Sequence, residues 1–232
     1  MTPAVPRPRR PLGPSGRPST GRGGDGGVRH WYENVLGWPA VPAGRPGARG
    51  AGGTTGVLLV AGVRFDVLEV PAAVGRAVLA GPERTGPVTR CSDRVRFLVA
   101  AGAAEEVPGL LAWLEWGGLA GDLGLAVIGS GGTIEAPWPP VPAPSPVGTD
   151  GAGPGADPAG AAVWVRPPEP GRGAETGLPA PRPLAARCAR GSAPGDGGGA
   201  PDLVRLVDRL ATECLRVRLG RARDQRWASS YA

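Results

Sequence analysis

The sequence contains no lysine: all 26 of its Lys-plus-Arg positions are arginine, in a chain of 232 residues. It has one histidine, His30, and three cysteines, Cys91, Cys188 and Cys214, which lie far apart with no C-x-x-C pair. That spacing indicates neither a disulfide framework nor a zinc site, and it fits ordinary thiols in a reducing compartment. A single histidine also gives little support to Cys–His or Ser–His–Asp catalysis. Long apolar runs are missing as well. No stretch of about 18 apolar residues is present to span a bilayer. The opening Met-Thr-Pro-Ala-Val-Pro-Arg-Pro-Arg-Arg lacks the apolar core of a signal peptide. The expectation is a soluble cytoplasmic protein with no membrane partner.

Glycine and proline are abundant instead. The 41 Gly and 29 Pro make up about 30% of the chain, a level associated with low-complexity or disordered sequence, so the ordered part should be much smaller than the whole. The net charge of +6 permits association with a polyanion. Much of it sits in residues 1–27, where Arg7, Arg9, Arg10, Arg17 and Arg22 face the single acid Asp25. That segment reads as a disordered basic tail, because it holds too little apolar surface to offset chain entropy.

The best-specified stretch is Val57–Val70 followed by Pro71 and Ala72–Leu79. Apolar and β-branched residues crowd the first part, Pro71 stops the run, and Val74, Val78 and Leu79 recur at helical spacing. This predicts strand, turn and helix. Upstream, Trp31, Val35 and Leu36 share one helical face, with Gly37 as C-cap. Downstream, Val88–Ser92 and Arg94–Ala100 form a hairpin with Ser92-Asp93 at its tip. Pro108–Trp116 reads as a short helix with Trp113 and Trp116 beside Leu110 in the core. Leu119–Ile128 and Thr133–Pro137 read as a second hairpin around Gly-Ser-Gly-Gly, and Ala161–Arg166 as a last strand. In the C-terminal segment, Leu203, Leu206, Val207, Leu210 and Cys214 fall on one stripe, an amphipathic helix capped by Gly220.

These elements predict an α+β domain over 28–166 in two layers, a sheet with flanking helices. Around it are long disordered Pro/Gly-rich segments: the tail 1–27, a linker over 167–200 and an end tail over 221–232. The amphipathic helix spans 201–220, and its apolar stripe calls for docking on the core or for a protein partner.

Four phrases in order resemble the N-terminal domain of bifunctional DNA primase/polymerases, a branch of the archaeo-eukaryotic primase superfamily. They are Tyr32…Leu36-Gly-Trp-Pro…Val-Pro42; Leu59-Val-Ala-Gly…Phe-Asp-Val-Leu-Glu-Val-Pro71; Gly86-Pro-Val-Thr-Arg90…Arg96-Phe-Leu-Val99; and Gly131-Gly-Thr-Ile-Glu-Ala-Pro-Trp-Pro-Pro140. The resemblance covers about 30–170. It implies a primase/polymerase-like fold and nucleotidyl transfer by Mg²⁺ or Mn²⁺ on two acids at i and i+2 of the central strand, a phosphate-contacting histidine and a third acid.

This sequence departs from that pattern. Glu69 stands at the second acid, Val67 at the first, Arg96 at the histidine and Ala126 at the third acid. Asp66 is one residue out of phase, so Asp66 and Glu69 share a metal only if a β-bulge turns them to one face. Arg96 retains the capacity to hold phosphate. The expectation is a degenerate site with no cofactor and no catalytic residue, in a domain that keeps weak affinity for single-stranded or primed DNA and is linked to DNA replication. Arg64, Arg94 and Arg96 are the candidate contacts, the last two alternating on one strand face. Two alternatives remain. His30–Trp38 also looks like the first-helix phrase of glyoxalase-type metalloenzymes, and a non-enzymatic interaction protein fits the composition.

Overall fold

The computed structural model describes residues 25–44, 55–140, 161–170, 174–181 and 202–229. The tail over 1–24, and most of the expected linkers, lie outside the described residues. The fold is mixed α+β, with two antiparallel sheets.

The first helix, α1 (Asp25–Trp31), starts inside the expected tail, and a π turn (Tyr32–Leu36) continues it to Gly37. Gly37 takes φ 70° and donates its N–H to the Tyr32 carbonyl, the cap its type favours. Next come β1 (Ala40–Pro42), β2 (Val57–Val60) and β3 (Phe65–Pro71), so the long apolar run is two strands in different sheets. The break falls at Gly62, with φ 86°, where a Cβ would run into the Ser130 backbone.

Helix α2 (Ala72–Leu79) follows Pro71 directly, and Gly75 lets it approach the sheet, since any Cβ there would collide with Val95. The hairpin β4 (Val88–Cys91) and β5 (Arg94–Ala100) turns at Ser92-Asp93. Helix α3 (Ala103–Trp113) begins five residues before the expected start and carries Pro108 inside it. A 3₁₀ segment (Gly117–Asp122) precedes β6 (Ala126–Ile128), and β7 (Thr133–Glu135) and β8 (Val163–Arg166) follow. Helix α4 (Leu203–Ser229) does not stop at Gly220.

The five-stranded sheet runs β6-β3-β5-β4-β8 and the three-stranded sheet β1-β2-β7. Strands β6 and β7 therefore do not form the expected hairpin: β6 pairs with β3, and β7 with β2. One face of the larger sheet packs Leu68, Val70, Val95, Phe97 and Val99 against α2, α3 and α4, where Leu203, Leu206, Val207 and Leu210 are buried. The opposite face packs Phe65, Val67 and Leu98 against the smaller sheet and α1, with Tyr32 and Trp38 fully enclosed. Strand β3 is covered on both faces, which is why its sequence is nearly continuous in apolar residues. Two segments assigned to linker or isolated helix join this fold: Ala174 and Leu178 enter the second core and α4 the first.

Candidate functional site

Period 2 along β3 sends Phe65, Val67 and Glu69 to the face of the smaller sheet and Asp66, Leu68 and Val70 to the helices. The β3–β5 register runs unbroken from Phe65↔Ala100 to Pro71↔Arg94, so no bulge rotates either acid. Asp66 is 1% exposed, and its Oδ2 accepts the Ala104 N–H at 2.9 Å in the first turn of α3. There it supplies the acceptor that the helix N-terminus requires, and its charge suits the positive end of the helix dipole. Asp66 and Glu69 thus stand on opposite faces, and the structure does not bring them together as a metal pair.

Glu69 belongs to a cross-strand rung of the larger sheet. Its partners are Ala126 on β6 and Arg96 on β5; Arg96 in turn faces Thr89 on β4, and Thr89 faces Trp164 on β8. The rung reads Ala126, Glu69, Arg96, Thr89, Trp164. Arg96 Nε donates to Glu69 Oε2 at 2.7 Å, and both side chains are largely buried, 17% and 16% exposed. Arg96 Nη1 and Thr89 Oγ1 are enclosed without a hydrogen-bond partner.

A second carboxylate comes from the smaller sheet. Glu135 on β7 reaches over the β4 end, where Cys91 Sγ donates to its Oε2 at 3.2 Å. Burial pushes the Cys91 thiol up, the Glu135 hydrogen bond adds to it, and the Arg96 charge works the other way. Cys91 is therefore held as a protonated donor. Glu135 was not among the expected site residues; it belongs to the other sheet, paired with Leu58, and reaches Cys91 from there.

These residues do not fit a divalent cation. A single carboxylate occupies the three expected ligand positions, and a guanidinium already neutralises it, whereas a Mg²⁺ site needs oxygen donors without such competition. Among the described residues no group of three or more His, Cys, Asp or Glu side chains is placed to hold a metal ion. His30 is exposed on α1.

The expected arginine patch is only partly available. Arg94 and Arg96 share a face, as period 2 requires, but Arg96 is committed to Glu69, and Arg94 Nη1 approaches the Gly124 carbonyl at 3.5 Å. Arg64 precedes β3 at its far end and pairs with Glu175 at 2.9 Å, both about half exposed. Seven strand residues separate it from the Pro71–Arg94 end, roughly 20 Å. Trp113 is 66% exposed rather than in the core, because α3 turns Val107 and Leu111 inward. No protein-family model matches the chain, and no curated protein or solved structure matches it.

Proposed function

We propose that this chain is a primase/polymerase-like domain that does not transfer nucleotides and that contributes weak nucleic-acid contact linked to DNA replication. The observation that carries the reading is the rung itself. The positions aligned by resemblance with the second acid, the histidine and the third acid are Glu69, Arg96 and Ala126, and they fall side by side on three adjacent strands. Glu69 and Arg96 come from two separate sequence phrases and Ala126 from the segment before a third, so the register joins positions far apart in the chain.

Loss of transfer follows from the residues present on it. In-line phosphoryl transfer needs cations to neutralise charge on the attacking and leaving oxygens, and this rung offers one carboxylate bound to arginine. The net charge of +6 and the position of Arg94 support an electrostatic, sequence-independent affinity. Purified full-length chain, incubated with primed template, dNTPs and Mg²⁺ or Mn²⁺, should give no extension above background while binding a dT20 oligonucleotide at low salt. Extension that disappears in Glu69→Ala overturns the claim of inactivity. No binding to dT20 overturns the claim of nucleic-acid contact.

A further inference from the structure

A groove of about 470 Å³ runs along the second half of α4, between that helix, α2 and the 3₁₀ segment, with Pro71 and Gly124 at its edge. Its floor is apolar: Val74 of α2, Leu123 after the 3₁₀ segment and Val217 of α4. Three charged side chains stand at its mouth, Asp122, Arg218 and Arg221. Arg218 Nη1 pairs with Asp122 Oδ2 at 2.9 Å, both side chains about half exposed, and the pair ties α4 to the 3₁₀ segment. Arg221, one helical turn further, makes no ion pair among the described residues.

We propose that this groove binds a small amphipathic anion, a single carboxylate head on an apolar body. The volume lies in the range of small-molecule sites, which combine apolar walls with a few placed polar groups. Two guanidiniums against one carboxylate leave one positive charge for the head, and Asp122 disfavours a ligand carrying several negative charges. Arg221 supplies charge-assisted donors to the head, while the body covers Val74, Leu123 and Val217. The site is independent of the nucleic-acid reading and neither stands nor falls with it.

Decanoate below its micellar concentration is the probe, titrated calorimetrically into the full chain, with acetate and 1-decanol as the head-only and body-only controls. Decanoate should bind saturably at one site, acetate should give no measurable heat, and decanol should bind at least about tenfold more weakly, a difference within the range of a charge-assisted hydrogen bond. Arg221→Gln, which breaks no ion pair, should weaken decanoate about tenfold on the same grounds. Ala222→Trp keeps every charge and fills the groove, so it should abolish binding; Ala222→Leu replaces it if thermal unfolding shows the larger side chain is not accommodated. Acetate binding as well as decanoate, non-saturable decanoate uptake, or wild-type affinity in either the arginine or the filling variant overturns the proposal.

Discussion

Asp66→Ala should lower stability by about 2 kcal/mol, through a mechanism that involves no metal. The substitution deletes the acceptor for the Ala104 N–H, and losing a helix N-terminal cap costs about 0.5–2 kcal/mol. A further desolvation cost falls on the stranded donor, at the low end of the about 1–3 kcal/mol for a buried group left unpaired, because Ala104 is only half-buried. Against this, Asp66 Oδ1 is enclosed without a partner, so removing the carboxylate also relieves a burial cost and keeps the total near about 2 kcal/mol. Asp66→Asn keeps an oxygen for the Ala104 N–H and loses only the charge–dipole attraction, about 0.3–1 kcal/mol. For a fold of this size, each kcal/mol moves the midpoint by about 2–4 °C, so thermal unfolding followed by circular dichroism should show a drop of about 4–8 °C for the alanine variant. The asparagine variant should fall by less than half as much. Mg²⁺ should change neither difference. Equal losses for Ala and Asn, or an Asp66→Ala midpoint matching wild type, would refute the capping argument.

Removing one partner of a buried ion pair costs about 3–5 kcal/mol. Partial exposure of Glu69 and Arg96 scales this down, so Arg96→Ala should destabilise by about 2–3 kcal/mol in urea unfolding. Adding Glu69→Ala should recover part of it, and strictly additive effects would remove the pair from the account. Leu206→Ala, at a site 1% exposed in the helix-side core, should cost about 2–5 kcal/mol, whereas Leu219→Ala, at 54% exposure, should stay within about 0.5 kcal/mol; equal effects would detach α4 from the core. Cys91 should alkylate slowly at pH 8, since its pKa is raised and little thiolate is present. Glu135→Gln removes a contribution that raises it and should speed labelling, read by peptide mass spectrometry; an unchanged rate would contradict the thiol–carboxylate contact.

Local pattern carried much of the fold and little of the site. The β3–α2 junction was legible because Pro71 and the Val74–Val78 spacing act within a few residues. The hairpin at Ser92-Asp93 and the Gly37 cap were legible for the same reason. The start of α3 was hidden, because its cap is Asp66, far upstream, and no local signal precedes Ala103. Splitting β6 from β7 was equally hidden: Gly-Ser-Gly-Gly reads as a hairpin turn, while the close approach of Ser130 to Gly62 carries the chain into the other sheet. The opposed faces of Asp66 and Glu69 did follow from period 2. That Arg96 would neutralise Glu69 and Glu135 would hold Cys91 required the register between strands, which alternation within one strand does not specify.

The most direct test of the central claim is whether the rung holds a divalent cation. Mn²⁺ titrated into the full chain and followed by electron paramagnetic resonance should retain the signal of the hydrated ion at every ratio, and with dNTP added should match a protein-free Mn²⁺–dNTP control, with wild type and Glu69→Ala indistinguishable. Stoichiometric loss of that signal in wild type, restored by Glu69→Ala, would contradict the account and place a working metal site where Arg96 now stands.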